Sequence, residues 1–403
     1  MKLPIQMDEF DLNSLLDELR LWVEMETPSC DAAAVNRLGN RVEMLAAQAG
    51  FAVERKPGTM GFGDILAIRS SFPDVADADR ILILAHIDTV HATGTLAEKL
   101  PLRQEGDRLY GPGIYDMKSG VLMALEAMKL ATWAGCNCAV DLLIVPDEEV
   151  GSKSSRPVIE EYAKKAAYAL VVEPARDGGK IVTARKGVGI CDIIVRGRAA
   201  HAGVRPADGR SAIRAAARLV LALDALNDPV RGVTVTVGTI EGGTGRNTVP
   251  AECRLQIDLR LPDIATAEEV FANINAMAPE DPDITFEIKS YLTRPPFIQS
   301  AQSRALFADA AKIAHMLGIP LNGMTTGGGS DGNFTAALGV PTLDGLGADG
   351  GGAHTFDEHI LVSSIAPRTA LLANLIVMLD RQSPAPLHVA PGPHWRSPYR
   401  CFG

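Results

Sequence analysis

The sequence predicts an α/β fold, in which a mainly parallel sheet with helices on both faces is interrupted by an inserted α+β domain. In the first half of the chain, short apolar runs such as ILILAHID (81–88) and VDLLIVP (140–146) alternate with helical stretches. Strands that alternate with helices are typical of βαβ units and therefore of a parallel sheet. After Lys180 the order changes to β-α-β-β-α-β, which is typical of a small sheet with two helices on one face.

The elements of the larger domain follow from the spacing of its apolar residues. Leucine, tryptophan and valine recur among acidic residues at 11–25, a pattern typical of an amphipathic helix. The other elements predicted for this domain are a helix at 33–50, strands at 65–70, 81–88, 140–146 and 168–172, and helices at 121–134, near 155–166, at 301–318 and at 363–380. Because the last two helices resume this pattern, we expect the larger domain to be discontinuous.

The inserted domain is predicted to contain four strands and two helices. The strands lie at 187–197, 232–243, 252–262 and 284–292, and the helices near 209–227 and 266–278. The predicted limits are therefore 1–179 and 293–382 for the larger domain and 180–292 for the inserted one. The tail, 383–403, is rich in proline, and we expect it to be extended or poorly ordered.

Charge and apolar content argue against several classes of protein. The chain has 39 Lys plus Arg against 49 Asp plus Glu, a net charge of −10, and no basic stripe, so nucleic acid and anionic membranes are not expected partners. The N-terminal stretch is acidic and lacks the apolar run of a secretory signal. No apolar stretch approaches the roughly 20 residues of a membrane span. We therefore expect a cytoplasmic protein whose six scattered cysteines are reduced structural thiols.

Five side chains of the kinds that bind divalent cations follow strand-like or glycine-rich segments: His86, Asp116, Glu149, Glu173 and His354. The carboxyl ends of parallel strands meet at one edge of a sheet, where we expect these side chains to converge. Two imidazoles and three carboxylates can hold two cations when one carboxylate bridges. Such ligands suit zinc, with cobalt or manganese as alternatives. The helical motif His-Glu-x-x-His is absent, which excludes a thermolysin-like site.

Residues beside these candidates suggest further roles. Asp88 lies two positions after His86 at a strand end, so the two side chains share a face and the carboxylate can orient the imidazole. Glu148 and Glu149 are adjacent and point in different directions, so Glu149 can bind a cation while Glu148 acts as a base toward water. Their mutual repulsion is expected to raise one pKa. Each motif alone is common in surface loops and helix caps, but their combination favours a two-metal hydrolase.

The order of the motifs resembles that of a known family. Eight motifs follow one another within residues 10–382: HIDTV, GPGIYDMKSG, PDEEVGS, VVEP, GRAAHAG, NTVP, TGGGSDGNF and AHTFDE. The chain resembles the dinuclear zinc family of carboxypeptidases and amidohydrolases, especially its folate-cleaving glutamate carboxypeptidase type. Glutamate at position 173 resembles the carboxypeptidase and deacylase members more than the aminopeptidases. The resemblance implies that Glu148 is the general base and that Asp88 orients His86.

The resemblance also implies a division of the ligands between the two metals. Asp116 bridges, Glu149 and His354 bind one metal, and His86 and Glu173 bind the other.

In the family that the chain resembles, the inserted domain is a lid and often the dimerisation surface. The resemblance implies that His201 reaches from the lid into a partner's site and stabilises the oxyanion. It implies that Asn247, Arg260 and Gly329 hold the carboxylate of the substrate, although Arg294 could compete with Arg260. The expected partners are a small peptide or N-acyl-amino-acid substrate and a second copy of the chain.

The predicted reaction is that of a two-metal exo-carboxypeptidase. Water between the cations loses a proton to Glu148 and attacks an amide carbonyl, and a C-terminal amino acid leaves. The resemblance suggests glutamate as that amino acid. An N-acyl-amino-acid deacylase or a dipeptidase with the same metals stays open, as does an inactive metal-binding relative. A nucleotide site is disfavoured, because no Gly-Lys-Ser/Thr follows the glycine runs at 242–245 and 327–329.

Overall fold

The computed structural model describes residues 3–9, 11–70 and 80–381 of the 403-residue chain. The predicted tail at 383–403 lies outside these residues. The described chain forms two compact units. The larger unit comprises the residues up to 184 together with 299–325 and those from 330 onward, and the smaller unit comprises 185–298 with 326–329.

The helices and strands are numbered here in chain order. The α-helices are α1 (Leu12–Glu24), α2 (Ala32–Gln48), α3 (Thr95–Glu98), α4 (Ser119–Trp133), α5 (Arg156–Ala163), α6 (Ala212–Asp224), α7 (Ile264–Asn275), α8 (Ala301–Met316), α9 (Gly332–Ala337) and α10 (Val362–Asp380). The strands are β1 (Ala52–Lys56), β2 (Ile65–Arg69), β3 (Arg80–His86), β4 (Arg103–Glu105), β5 (Arg108–Tyr110), β6 (Val140–Val145), β7 (Ala166–Val171), β8 (Ile181–Arg185), β9 (Gly187–Arg196), β10 (Ala200–His201), β11 (Thr234–Gly242), β12 (Thr248–Val249), β13 (Glu252–Leu261), β14 (Thr285–Arg294), β15 (Gly323–Thr326), β16 (Thr342–Leu343), β17 (Gly350–Gly351) and β18 (His359–Leu361).

A six-stranded sheet with the order β1-β2-β6-β3-β7-β16 forms the centre of the larger unit. Strands β6, β3, β7 and β16 are parallel to one another, and β2 and β1 extend the sheet in antiparallel pairs. Side chains alternate between the faces, so that Ile81, Ile83 and Ala85 of β3 enter one apolar core while Leu82 and Leu84 enter another. The prediction of a mainly parallel sheet is confirmed.

Helices cover both faces of this sheet, as predicted. Helices α1, α2, α4, α8 and α10 contribute to the core that contains Ile83, and α5 and α9 contribute to the core that contains Leu84. The first two helices begin where aspartates cap them: Asp11 and Asp31 accept N–H groups of the first turn. Helix α2 is followed by Gly50, whose φ of 82° lies in the left-handed region that ends many helices.

Helix α10 is long and apolar. Its 19 residues include an 18-residue window with a mean hydropathy of 1.6, so by length and composition alone it could cross a membrane. The expectation that no apolar stretch approaches that length is therefore wrong. In the structure 67% of this window is buried, and α10 packs against α4, as a core helix of a globular domain does.

The smaller unit is built on a four-stranded antiparallel sheet with the order β11-β13-β9-β14. Alternate residues of β9, namely Cys191, Ile193 and Val195, enter a core to which both α6 and α7 contribute. The two helices therefore lie on one face of the sheet. The chain order of these elements confirms the predicted β-α-β-β-α-β series.

The chain passes between the units a few residues later than the predicted limits of 180 and 292, at 184/185 and at 298/299. Strand β8 pairs with β15, and the N–H of Val182 donates to the carbonyl of Asp344 over 2.7 Å. These bonds attach the segment after Lys180 to the larger unit. Arg185 and Phe297 exchange backbone hydrogen bonds of 2.9 Å, so the outgoing and returning chains lie side by side.

Candidate metal centre

Three neighbouring strands of the main sheet, β6, β3 and β7, end at one edge and deliver several of the predicted residues. Strand β3 ends at His86 itself. Strand β6 is followed by a turn that contains Glu148 and Glu149, and β7 is followed by Glu173. Because these strands are parallel and adjacent, their carboxyl ends bring the four side chains to one place.

Asp116 lies between the two predicted histidine ligands. Its Oδ1 atom is 3.2 Å from Nε2 of His86, and its Oδ2 atom is 3.4 Å from Nε2 of His354. The same nitrogen of His86 is 3.8 Å from Oε1 of Glu173, and that of His354 is 3.0 Å from Oε2 of Glu149. The side chains thus form two groups that share Asp116, each with its ligand atoms within 4.8 Å of one another.

Backbone conformations near the centre explain the glycines around Asp116 and the shape of the loop at His354. Gly113 has a φ of 69°, and a Cβ there would lie 2.3 Å from Cγ2 of Thr89. A Cβ on Gly120 would lie 2.1 Å from the carbonyl oxygen of Val172, so only glycine lets α4 pass the end of β7. His354 has a φ of 64°, a conformation that is uncommon in residues other than glycine and clusters at functional sites.

The loop that presents Asp116 is held by Glu358, a residue with no predicted role. Glu358 is buried and accepts the N–H groups of Gly113, Tyr115 and Asp116 at 2.9–3.0 Å. Its Oε2 atom also contacts His91, which is buried and had no predicted function. The one signal in the sequence was the position of Glu358 in the AHTFDE motif.

Asp88 connects both parts of the centre. Nδ1 of His86 lies 3.0 Å from the backbone oxygen of Asp88 and 3.4 Å from its carboxylate, so the main chain makes the closer contact with the imidazole. The carboxylate accepts the N–H groups of Glu148 and Glu149 at 3.2 and 3.3 Å. It also accepts the hydroxyl of Ser29 over 2.6 Å. Asp88 therefore fixes the turn that carries both glutamates as well as the ring of His86.

Burial dominates the electrostatics of the glutamates. It raises the pKa of Glu173 well above its ordinary value, and the negative charges of Asp116 and Glu148 add to this rise. Burial is also the main cause of the raised pKa of Glu149. The raised pKa expected for one member of the Glu148–Glu149 pair is thus found on Glu149, with a cause other than repulsion between the two.

The histidines carry protons that compensate part of this negative charge. Burial acts to lower the pKa of His86, but hydrogen bonds with Asp116 and Asp88 outweigh it and raise that pKa well above its ordinary value. Hydrogen bonds with Asp116 and Glu149 raise the pKa of His354 to about 10. Burial acts to raise the pKa of Asp116, but its bonds to both histidines hold it below its usual range. Cations at these atoms would displace the protons.

The donor set fits a pair of divalent cations. Two imidazoles and three carboxylates are ligands that zinc, cobalt and manganese accept. Oε1 of Glu149 is a buried oxygen that has no hydrogen-bond partner among the described residues. Such an orphaned acceptor is costly unless something else binds it, and a cation would do so.

The remaining predicted site residues lie in the smaller unit. His201 is exposed, and its Nδ1 atom accepts the N–H groups of Gly203 and Val204, both at 3.2 Å. Asn247 is also exposed, and its backbone oxygen accepts the N–H of Ala202 over 2.9 Å. His201 and Asn247 therefore lie close along the paired segments β10 and β12.

Arg260 is not a free cation. Its Nε and Nη2 atoms donate to both oxygens of Asp258 at 2.8 and 3.0 Å, and its Nη1 donates to the carbonyl of Gly327 over 3.2 Å. Gly329 packs against the alternative arginine, because a Cβ there would lie 2.7 Å from Cδ of Arg294. The alternation of side chains along β13 places Asp258 beside Arg260, a pairing that sequence reasoning missed.

Comparison with known families gives the class of this protein. The model of peptidase family M20/M25/M40 matches residues 82–378. The chain belongs to this family. It is 30% identical to carboxypeptidase G2 of Pseudomonas sp. (strain RS-16) over 374 residues, which cover 91% of this chain and 89% of that protein. It is 28% identical to succinyl-diaminopimelate desuccinylase of Verminephrobacter eiseniae, over 83% of this chain and 88% of that protein.

Solved structures agree on the fold of this M20-family chain. An aminopeptidase PepT from Bacillus cereus matches with a TM-score of 0.74 at 22% identity and covers 92% of this chain and 99% of its own. An M20 family metallo-carboxypeptidase from Sulfolobus solfataricus matches with a TM-score of 0.71 at 17% identity, over 93% and 100% of the two chains. The family and the cluster of ligand side chains identify the protein as a metal-dependent hydrolase of the metallopeptidase and amidohydrolase class.

Proposed function

We propose that this M20-family hydrolase is a two-metal exo-carboxypeptidase that cleaves an amide or peptide bond and releases a C-terminal amino acid. The observation that supports it most directly is the shared position of Asp116, with one oxygen toward His86 and the other toward His354. The match to carboxypeptidase G2 favours an acyl-amino-acid or peptide substrate, and glutamate is the first leaving group to test.

The proposed ligands form two sets around Asp116. His86 and Glu173 would complete one site, and Glu149 and His354 the other. Zinc is the proposed metal for both. When bound, the two cations supply an acidified water and a polarised carbonyl.

Glu148 would move the proton. It stands next to the ligand Glu149, and its backbone N–H is tied to Asp88. Its negative charge contributes to the raised pKa of Glu173, which supports a position of its carboxylate near the centre. Glu148 would take a proton from the attacking water and deliver it to the nitrogen of the leaving amino acid.

His201 would stabilise the oxyanion. Because its Nδ1 accepts two backbone N–H groups, the neutral ring carries its proton on Nε2 and can donate it to a developing negative charge. We propose that this donation occurs across a homodimer formed through the smaller unit, which would act as a lid. Strand β11 is at the edge of its sheet. Asn227 binds the N–H and C=O of Val235, and a second copy would pair with the part of the strand beyond it.

Asn247, Arg260 and Gly329 are the proposed contacts for the substrate's α-carboxylate. A carboxylate is bound well by the two parallel donors of an arginine. Since Asp258 occupies those donors in Arg260, substrate would have to share or displace it. Arg294 is the alternative anchor.

The cytoplasm is the proposed compartment. Free thiols are found at Cys30, Cys136, Cys138, Cys191 and Cys253. Thiols stay reduced in the cytoplasm.

A substrate panel tests the proposed activity. Metal-stripped protein is reloaded with Zn²⁺, Co²⁺ or Mn²⁺ and assayed for amino-acid release from N-acyl amino acids and dipeptides that end in glutamate, in other residues or in a C-terminal amide. We expect cleavage that depends on metal and on a free α-carboxylate. Cleavage of the amides as fast as the acids would overturn the carboxypeptidase assignment.

A deacylase or dipeptidase is the second candidate. The match to succinyl-diaminopimelate desuccinylase and a 31% identity over 191 residues to acetylornithine deacetylase of Myxococcus xanthus favour the deacylase. In the same panel, a deacylase should require a small acyl group and a dipeptidase should require a free amino terminus. Neither should depend mainly on the identity of the leaving amino acid.

A further inference from the structure

A second group of metal-binding side chains lies outside the candidate centre. Cys136 and Cys138 follow helix α4, and Asp380 is the last residue of α10. One ligand atom from each of the three lies within 4.8 Å of the other two. The six residues of β6 separate these cysteines from Glu148 and Glu149, which at about 3.3 Å per residue corresponds to about 20 Å. The two groups are therefore distinct.

The geometry of this cluster is close to that of a thiolate metal site. The sulfurs of Cys136 and Cys138 are 3.2 Å apart, and both residues are buried. The exposed Asn137 between them donates its backbone N–H to Oδ2 of Asp380 over 3.2 Å. This bond holds the carboxylate beside the Cys-x-Cys turn. The exposure of Asn137 leaves water access from one side.

The surroundings favour a cation. Helix α4 ends at Trp133, three residues before Cys136, and α10 ends at Asp380 itself. The carboxyl end of a helix carries a partial negative charge that attracts cations. The carboxyl ends of α4 and α10 and the carboxylate of Asp380 therefore lie beside the thiols of Cys136 and Cys138.

We propose that Cys136, Cys138 and Asp380 bind one thiophilic divalent cation, Zn²⁺ or Cd²⁺, at a site separate from the two-metal centre. Each thiol gives up its proton to solvent on binding, and water completes a tetrahedral shell.

Distances favour a metal over a disulfide. Zinc–sulfur bonds of about 2.3 Å in a tetrahedral site require sulfurs about 3.8 Å apart, so the observed 3.2 Å must open by about 0.6 Å. A disulfide of about 2.05 Å requires the same pair to close by more than 1 Å, and within a three-residue turn. Metal binding therefore requires a smaller movement of the two sulfurs than disulfide formation does.

Cadmium absorption tests the proposal, because only sulfur ligands give the ultraviolet thiolate-to-cadmium band and the two-metal centre has none. The parent is the full chain with Cys30→Ser and Cys401→Ser, which removes the exposed cysteine and that of the tail. Titrating this reduced parent with Cd²⁺ should produce the band, saturating at one sulfur-bound ion per chain. Cys136→Ser or Cys138→Ser should abolish it, and Asp380→Asn should weaken Cd²⁺ binding by at least about 10-fold, the lower limit for groups that merely support a ligand.

Alkylation gives a second measurement that does not depend on the folding of the cysteine variants. In the parent, Cd²⁺ should protect Cys136 and Cys138 from a thiol reagent, as read by peptide mass spectrometry, and Asp380→Asn should require more Cd²⁺ for the same protection. Absence of the band in reduced parent, its persistence in Cys136→Ser, or isolation of the pair as a disulfide that takes up no Cd²⁺ after reduction would each overturn the site.

Discussion

The Nε2 atom of His91 lies 2.7 Å from Oε2 of Glu358, and both side chains are buried. The same carboxylate accepts three backbone N–H groups from the loop that ends at Asp116. Four donors thus converge on one buried acceptor. Asp116 is the carboxylate shared by both ligand groups, so the position of the whole centre depends on Glu358.

We predict that Glu358→Gln destabilises the protein and weakens metal binding while preserving side-chain volume. A glutamine offers one acceptor oxygen where the carboxylate offers two, so donors that faced the second oxygen lose their partner. At about 1–3 kcal/mol for each buried group left unsatisfied, the free energy of unfolding should fall by roughly 2–4 kcal/mol. Urea unfolding of metal-stripped protein and Zn²⁺ titration measure the two effects.

Glu105→Gln is the matched control for that substitution. Glu105 is an exposed glutamate paired with Arg103, and loss of a surface pair should change stability by at most about 0.5 kcal/mol. Equal stability and equal metal affinity in the two variants would show that Glu358 does not hold the Asp116 loop.

The contrast between Glu173 and Glu358 shows what the sequence can predict. Glu173, like His86 and Glu149, stands at the end of an apolar run, and the convergence of parallel strand ends is a general property of the fold. Glu358 acts by accepting main-chain N–H groups from a loop more than two hundred residues earlier in the chain. Backbone donors have no sequence signature, so this pairing could be found only in the folded structure.

Arg260 and α10 show two other limits. The partner of Arg260 was two residues away on the same strand face, and strand periodicity alone could have indicated it. Helix α10 meets the composition of a membrane span but is mostly buried, because a helix enclosed by a sheet and other helices is apolar on most sides. The apolar composition of a helix indicates that it is buried. Whether protein or lipid surrounds it can be learned only from the folded structure.

Substitutions of the neighbouring residues Glu148 and Glu149 should affect metal content and turnover differently. We predict that Glu148→Ala retains two metal ions per chain and loses activity by several orders of magnitude, since it removes the proposed proton acceptor. Glu149→Ala should lose metal, because it removes a proposed ligand whose oxygen lies 3.0 Å from Nε2 of His354. Metal content by elemental analysis and turnover on an N-acyl glutamate distinguish the roles. Full activity of Glu148→Ala would end the base assignment.

Metal-stripped protein should become less stable as the pH rises from about 6.5 to 10. The pKa of His354 is raised from 6.5 to about 10 by Asp116 and Glu149, so the folded chain keeps a proton that the unfolded chain releases in this window. Stability that depends on this proton is complete below about 6.5 and is lost as the pH passes the raised value. The raised pKa of Glu149 acts in the same direction above 4.5.

The size of that pH effect should be modest, because the side chain of His354 is 53% exposed and solvent screens its contacts. Thermal unfolding of stripped protein at several pH values measures it, with His354→Gln as the comparison. The variant should show a flatter decline across the window. Parallel declines in both proteins would mean that other groups are responsible.

The exposed imidazole of His201 provides the sharpest test of the proposed lid. We predict that His201→Ala lowers turnover by about 10²–10³-fold, the usual cost of removing one oxyanion donor, while metal content stays at two ions per chain. Among the described residues, the imidazole makes two side-chain bonds, both to nearby backbone N–H groups, so its loss should leave the melting temperature nearly unchanged.

Val204→Ala is the control for His201, because it lies in the same turn, is 72% exposed and keeps the N–H that donates to the imidazole. Its turnover should equal that of the unmodified protein.

A mixed-dimer experiment tests which chain supplies the donor. His201→Ala protein is combined with an excess of Glu148→Ala protein. If each lid serves the partner's centre, activity should recover, because the mixed dimer then keeps one complete site. No recovery in verified mixed dimers would mean that His201 acts within its own chain, and unchanged turnover in His201→Ala alone would mean that it takes no part in the reaction.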